Sequence, residues 1–355
     1  MQMVIAGGGT GGHFFPGLAV AQEAVRQGAS AIFVGSNTGI EARVAPQRGF
    51  RFVPLDIHGV RGVGWRGALR FAAQLPVALL AAWRVLGEHR ADIVLGLGGY
   101  GSVPVVVAAW LRRVPAVLME QNVHPGLANR ILSRLARRVC TTFAESAEFF
   151  PAGKAIRTGN PVRRLESSTR PDPSRFSLLV FGGSQGARSV NRVVTEAVGQ
   201  LQPRLPELSI VHQTGEADRL SVDEQYRARG IDARVSAFIE DMAAAYGSAD
   251  LVVCRAGATT LAELAMVGKP AILIPYPYAA DDHQRHNAEA MTAHRAAEMI
   301  LEKDLSPEHL AERIFYYSQH RAQLAAMAQA AADLAAPAAT AEVLRVCREL
   351  VRRGH

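Results

Sequence analysis

The 355-residue chain has only three cysteines, Cys140, Cys254 and Cys347. They are too few and too far apart for a disulfide scaffold, a C-x-x-C pair or a thiolate metal centre, and they read as ordinary thiols of a reducing compartment. Aromatic residues are scarce at 6%, and there is no RNP-type aromatic motif, zinc-finger spacing or isolated Arg/Lys block, so nucleic acid is not the expected partner. No G-x-x-x-x-G-K-[ST] occurs, which removes the common ATPase reading. No D-x-D occurs either, so a metal held by paired aspartates is not indicated and no cofactor is implied. The opening stretch Met1-Gln-Met-Val-Ile-Ala-Gly7 lacks a basic segment followed by a long apolar one. No export signal is expected, and the cytoplasm is the default. One uncharged run, 93–111, reaches the length of a membrane-spanning helix. Its glycine-rich middle, Gly96-Leu-Gly-Gly-Tyr-Gly-Ser-Val-Pro104, suits a buried strand, a turn and a following helix instead.

What the chain does have is 49% apolar residues and length for two cores. Its charge is uneven. Residues 1–163 carry 18 Lys+Arg against 8 Asp+Glu, a net +10, while residues 164–355 carry 21 against 24, a net −3. The first half is therefore suited to something anionic, either a phosphorylated substrate or an anionic membrane surface. Part of that charge is also what a solvated arginine-rich surface would show.

Short apolar runs predict strands at Val4–Ala6, Ala31–Val34, Phe52–Leu55, Ile93–Leu97, Ala116–Met119 and Val139–Thr142. A second series falls at Leu178–Phe181, Ser209–His212, Arg234–Ala237, Leu251–Cys254 and Ala271–Ile274. Helix-length segments separate them, so the class is α/β with parallel sheets. Both halves open alike: Val4-Ile-Ala-Gly7-Gly8-Gly9-Thr10-Gly11-Gly12-His13 and Leu178-Leu-Val-Phe-Gly182-Gly183-Ser184-Gln185-Gly186 are each a strand running into a glycine loop. Two Rossmann-like domains facing a cleft are expected, 1–163 and 164–340, with a turn-rich linker near Thr158–Pro173 and a C-terminal helix at 341–355 joining the first domain.

Gly7, Gly9 and Gly12 match G-x-G-x-x-G, yet the strand that follows leads into Gly35-Ser-Asn-Thr rather than an acidic residue, which disfavours a dinucleotide. The loop then serves close approach of a phosphate or sugar, or simply a tight turn. Gly182-Gly-Ser184-Gln-Gly186 also fits a nucleophile elbow, but no partner Asp and His stand out, and a diphosphate cradle explains both loops at once. A third glycine element, Cys254-Arg-Ala-Gly257-Ala258-Thr259-Thr260-Leu261-Ala262-Glu263, offers amide N–H groups for phosphate and a carboxylate for ribose hydroxyls; a plain N-cap with an exposed glutamate is the competing reading. Gln284 and Asn287 supply amides suited to sugar hydroxyls.

Six motifs occur in a fixed order: Gly-Gly-Thr-Gly-Gly-His13, Glu120-Gln-Asn122, Gly159-Asn-Pro-Val-Arg163, Gly-Gly-Ser184-Gln-Gly-Ala-Arg, Phe238-Ile239-Glu-Asp-Met and 258–263. In this the whole chain resembles the MurG family, the UDP-GlcNAc-dependent N-acetylglucosaminyltransferases of bacterial peptidoglycan synthesis. The resemblance implies the glycosyltransferase B fold and inverting transfer of GlcNAc from UDP-GlcNAc to the MurNAc C4 hydroxyl of a membrane-bound lipid diphosphate, lipid I, giving lipid II. Carried over by position, it implies that Thr10, Gly11 and Gly12 meet the donor with Asn122 and Arg163 nearby. Ser184 would touch the diphosphate, Ile239 pack at the uracil, Ala258, Thr259, Thr260, Leu261, Ala262 and Glu263 hold phosphate and ribose, and Gln284 read the GlcNAc. His13 is the candidate general base, with a diphosphate contact as its other role, and Glu120 is a second candidate catalytic group. The family commonly has His-Glu-Gln-Asn where this chain has Met119-Glu-Gln-Asn, so a histidine proton role there does not carry over.

The resemblance also implies a peripheral position on the cytoplasmic face of the cell membrane and cell-wall synthesis proteins as partners. Trp65, Arg66, Leu69, Arg70, Phe71, Leu75, Leu79, Leu80, Trp83, Arg84 and 110–113 mix apolar and cationic residues at near-helical spacing, as an interfacial helix would; Leu75, Leu79 and Trp83 also fit an ordinary core. Rival functions are a same-fold transferase with a diacylglycerol-type acceptor, a UDP-GlcNAc epimerase, and a non-catalytic nucleotide-sugar-binding adaptor.

Overall fold

A computed structural model describes residues 1–7, 11–57, 64–163, 165, 168–183 and 186–353, with the side chains of 64–71 and 353 outside that description. The chain forms two compact units, one of residues 1–163 with 336–355 and one of 164–335.

In the first unit the elements run β1 (Gln2–Ala6), α1 (Gly11–Arg26), β2 (Ser30–Ser36), α2 (Ile40–Gln47), β3 (Arg51–Leu55), α3 (Gly64–Glu88) and β4 (Ile93–Gly96). They continue α4 (Ser102–Leu111), β5 (Ala116–Glu120), α5 (Leu127–Leu132), β6 (Arg138–Thr141) and β7 (Ala155–Arg157). All seven strands are parallel, in the order β3-β2-β1-β4-β5-β6-β7. Strands covered on both faces need continuous apolar runs, and those runs are what the sequence displays. Alternate residues feed two cores: Val4, Val94, Leu118 and Val139 pack under α3 and α4, whereas Met3, Ile5, Leu95, Met119 and Cys140 pack under α1.

The second unit runs β8 (Phe176–Phe181), α6 (Arg188–Leu201), β9 (Leu208–Gln213), α7 (Arg219–Ala228), β10 (Ala233–Ser236), α8 (Met242–Ser248) and β11 (Leu251–Cys254). Then come α9 (Ala258–Val267), β12 (Ala271–Leu273), α10 (His283–Ala293), β13 (Glu298–Met299), α11 (Pro307–Gln319) and α12 (Arg321–Asp333). Its parallel sheet has the order β10-β9-β8-β11-β12-β13. Beyond it α13 (Ala339–Arg353) packs on α1, placing Val343, Leu344, Val346 and Cys347 in the core of the first unit.

Each expected strand run coincides with an observed strand. β7 and β13 were not anticipated, because three- and two-residue edge strands of mixed polarity (Ala-Ile-Arg and Glu-Met) have no run to read.

The second core contains a buried polar knot. The His212 ring nitrogens lie 3.0 Å from the Tyr226 hydroxyl and 3.2 Å from Asn191 Oδ1. Asn191 Nδ2 donates to Thr214 O and Asp218 Oδ2, so its Oδ1 is the acceptor and His212 carries its proton on Nε2. Burial pushes the His212 pKa down to about 3. Between its ordinary value and that one, the unfolded chain binds a proton that the folded chain refuses, so this unit loses stability as pH falls. Lowering the pH from 7 to 5 is expected to cost it about 2 kcal/mol. Six of the seven tyrosines lie in this unit and all three tryptophans in the other, so urea unfolding followed by tyrosine circular dichroism reads it separately. A slope unchanged in His212→Gln would refute the assignment.

Candidate active site

In both sheets the chain order reverses beside the first strand, at β1/β4 and at β8/β11. Loops leaving such neighbours part to opposite faces, which opens a crevice beyond the carboxyl ends of the strands. Both glycine loops start there.

In the first unit, Gly7 has φ +95°, and a Cβ on it would come within 2.4 Å of Gly98 O; only glycine lets the β1 and β4 loops approach so closely. Thr10 lies outside the described residues. Gly11, half-buried, and Gly12, exposed, open α1, with His13 as its third residue. The His13 ring is half-buried, and a Cβ on Gly98 would fall 3.3 Å from its Cδ2 and 3.2 Å from Asn129 Nδ2. His13 thus reaches the same point over the β4 loop as a side chain from α5.

Glu120 ends β5 and is buried. Its Oε1 accepts from Asn122 N (3.0 Å) and Asn122 Nδ2 (3.2 Å), and its Oε2 from Gly126 N (3.2 Å) and Asn129 Nδ2 (2.9 Å). Burial pushes this carboxyl up and outweighs the hydrogen bonds that pull it down. With four donors around it, the carboxylate organises the 121–126 loop and so positions Asn122, which is half-buried. Met119 sits in the core under α1 and offers no proton chemistry. Arg163 is exposed where the chain passes between the units.

In the second unit, Gly182 and Gly183 follow β8, and Ser184 lies outside the described residues. Gly186, at φ +74°, rests on the β9 loop: a Cβ there would come within 1.9 Å of Thr214 O. Ile239, 9% exposed, follows β10. Gly257 precedes α9, whose first turn holds Ala258 and Leu261, both buried, with Thr259, Thr260 and Ala262 half-buried. Glu263 is 7% exposed and its Oε2 accepts from the Tyr246 hydroxyl at 3.1 Å. That overturns the reading of a plain N-cap with an exposed glutamate: one carboxylate oxygen is held by α8, which orients the group. Gln284, in the first turn of α10, accepts from Tyr276 N at 3.0 Å, leaving its amide N–H₂ as donor.

Sequence reasoning missed Arg255, the residue after β11. Its buried guanidinium donates to Ile274 O, Pro275 O, Glu302 and Ser189 Oγ. It therefore fastens the loop that leads to Gln284, and an arginine beside a glycine gave no hint of partners 19 to 66 residues away. Among the described residues, no group of three or more His, Cys, Asp or Glu could hold a metal ion.

Residues 3–141 match the glycosyltransferase family 28 N-terminal domain, and residues 177–343 match the glycosyltransferase family 28 C-terminal domain. The chain is 47% identical over 359 aligned residues to the UDP-N-acetylglucosamine–N-acetylmuramyl-(pentapeptide) pyrophosphoryl-undecaprenol N-acetylglucosamine transferase of Anaeromyxobacter sp. (strain Fw109-5), covering 99% of this chain and 94% of that one. The chain belongs to this family of transferases. Among solved structures, MurG of Acinetobacter baumannii superposes with a TM-score of 0.81 at 33% identity, covering 98% of this chain and 99% of that one. A UDP-GlcNAc 2-epimerase from Neisseria meningitidis reaches a TM-score of 0.69 at 12% identity, covering 98% of this chain and 100% of that one. That likeness is one of fold alone. The architecture is the glycosyltransferase B fold, and the MurG family's full-length identity separates this chain from the epimerases that share it.

Proposed function

We propose that this chain transfers GlcNAc from UDP-GlcNAc to the MurNAc C4 hydroxyl of undecaprenyl-diphospho-MurNAc-pentapeptide, forming lipid II and releasing UDP, with inversion at the anomeric carbon. The observation that carries this is 47% identity across 99% of the chain to a relative named for that reaction.

The nucleotide of the donor belongs to the second unit, and Thr10, Gly11 and Gly12 of the first unit, with Asn122 and Arg163 nearby, also meet the donor. Amide N–H groups of the Gly182–Ala187 loop and of the α9 start receive the diphosphate, where the helix N-terminus stabilises negative charge. Glu263, oriented by the Tyr246 hydroxyl, accepts from the ribose hydroxyls, Ile239 covers the uracil, and the Gln284 amide donates to a GlcNAc hydroxyl. As the glycosidic bond breaks, electrons pass to the β-phosphate oxygen, and these same donors stabilise the charge that develops there. In the first unit, His13 takes the proton of the acceptor hydroxyl as its oxygen bonds to the anomeric carbon. Asn122, set by Glu120, supplies neutral polar groups to the same unit's part of the site.

The test is UDP release by the purified protein with and without a lipid I analogue. Release that requires the acceptor is expected. Release without any acceptor would replace the transferase by an epimerase or hydrolase, and release with diacylglycerol but not lipid I would reassign the acceptor.

The acceptor is lipid-linked, and the first unit has a surface suited to reaching it. On α3, Ala78, Ala82, Val85 and Leu86 face the core, yet Val77, Leu80 and Trp83 are exposed, as are Trp110 and Leu111 at the end of α4. Arg112 joins the two helices: it lies 4.7 Å over the Trp83 ring and donates to Trp83 O. Arg84 and Arg113 are exposed beside them. Apolar side chains rimmed by arginine suit peripheral binding to an anionic leaflet. The side chains of 64–71, Trp65 among them, lie outside the described ones, and among the described residues no helix is long and apolar enough to cross a membrane. Trp83→Ala with Trp110→Ala is expected to weaken binding to anionic vesicles roughly tenfold while leaving UDP affinity unchanged. Equal vesicle binding by the folded double variant would remove this surface from the mechanism.

A further inference from the structure

The donor reading assigns the diphosphate loop after β8 and the uracil pocket after β10 to separate segments. Between them lies β9, which ends on Gln213. Its side chain is 4% exposed and uses both ends of its amide: Nε2 donates to Gly183 O at 2.8 Å, and Oε1 accepts from Ile239 N at 2.9 Å. In the sheet Gln213 is in register with Phe181 on one side and Ser236 on the other. One side chain therefore spans the carboxyl ends of three strands and ties the glycine loop to the base pocket.

We propose that Gln213 is a positioning residue of the donor site, a clamp that holds the diphosphate loop and the uracil pocket at the separation a nucleoside diphosphate requires. The inference rests on the donor reading above. Where a carboxyl would be ionised, an amide is the side chain that meets both needs. Glycine-loop carbonyls need a donor, a backbone N–H needs an acceptor, and only a group with one of each at fixed spacing satisfies both without charge. Leucine has neither, and glutamate keeps the acceptor but, when ionised, sets a carboxylate oxygen against Gly183 O. The next layer supports the same loop, because the Thr214 carbonyl on which Gly186 rests accepts from Asn191 Nδ2. Loosening either tie makes ligand binding bear the cost of ordering the loops.

The experiment compares UDP and uridine binding by calorimetry in wild type, Gln213→Leu and Gln213→Glu, with donor KM, acceptor KM and kcat measured alongside. Gln213→Leu is expected to weaken UDP about tenfold, to weaken uridine less, and to raise donor KM together with a fall in kcat, because the loosened loop also stabilises the departing β-phosphate, while acceptor KM stays within about twofold. Gln213→Glu keeps the Ile239 tie, so uridine binding stays near wild type. Its UDP affinity relative to wild type at the same pH falls as the introduced carboxyl ionises and recovers when a protonated carboxyl again donates to Gly183 O. A merely structural role would not make the UDP-to-uridine ratio follow pH. UDP binding in folded Gln213→Leu equal to wild type overturns the clamp, as does an equal loss of uridine and UDP in ionised Gln213→Glu. If Gln213→Leu does not fold, Gln213→Met takes its place under the same criteria. Wild-type protein that fails to bind UDP would overturn the donor reading itself, an outcome distinct from both.

Discussion

Replacing His13 with alanine is expected to lower acceptor-dependent UDP release by about 10²–10⁴-fold while UDP binding to the second unit stays at wild-type strength. The separation follows from the division of labour: His13 lies in the first turn of α1 of the first unit, and the residues proposed for the nucleotide follow β8 and β10 or lie on α9 and α10 of the second. A proton acceptor matters only once the hydroxyl oxygen begins to bond to carbon, so its loss lowers kcat and kcat/KM together. A diphosphate contact would behave otherwise. Its removal would raise acceptor KM, and His13→Gln, which keeps a donor, would restore much of it. The pH–rate profile decides between them, because loss of a base removes the acid limb of kcat/KM, and loss of a contact leaves that limb in place.

Glu120→Ala is expected to destabilise the first unit by about 2–3 kcal/mol, seen as an early tryptophan-detected unfolding transition with the tyrosine-detected transition unmoved. The size follows from what is left behind. Asn122 N, Asn122 Nδ2 and Gly126 N would lose a shared acceptor in a partly buried place, while Asn129 Nδ2 would keep Met119 O, and each donor that loses this bond carries a desolvation penalty. Activity should fall with stability, through a displaced Asn122. Glu120→Gln keeps one carbonyl oxygen for these donors, so it should recover part of the stability and retain the wild-type shape of the pH–rate profile. A lost limb in that profile would instead make Glu120 a group that moves a proton.

Arg255 and Gln213 illustrate why parts of the site escaped sequence reading. In the sequence each is a polar residue at the end of an apolar run, where solvent exposure is the ordinary expectation. Their burial becomes meaningful only once Glu302, Ser189 and the 274–275 carbonyls surround one, and Gly183 and Ile239 the other. Glu263 lies between the two cases. Its place one turn into a glycine-led helix was legible, but the Tyr246 hydroxyl that orients it comes from α8. On α3, helical spacing was readable from 65 to 84, but whether its tryptophans face core or solvent was not. Leu79 packs against the core while Trp83 is 38% exposed.

By itself the sequence determined the α/β class, the long strands and the two glycine loops, because a strand covered on both faces must be apolar throughout and a loop that combines positive φ with close backbone approach favours glycine. Those requirements act on neighbours in the chain. Tertiary structure alone decided the short edge strands β7 and β13, the four donors gathered on Glu120, and the clamps of Arg255 and Gln213. The clamps depend on partners 19 to 66 residues away that only the tertiary fold of the second unit brings together, and the Glu120 donors on a loop that folds back over 2 to 9 residues. A buried polar group is stable only where such partners converge.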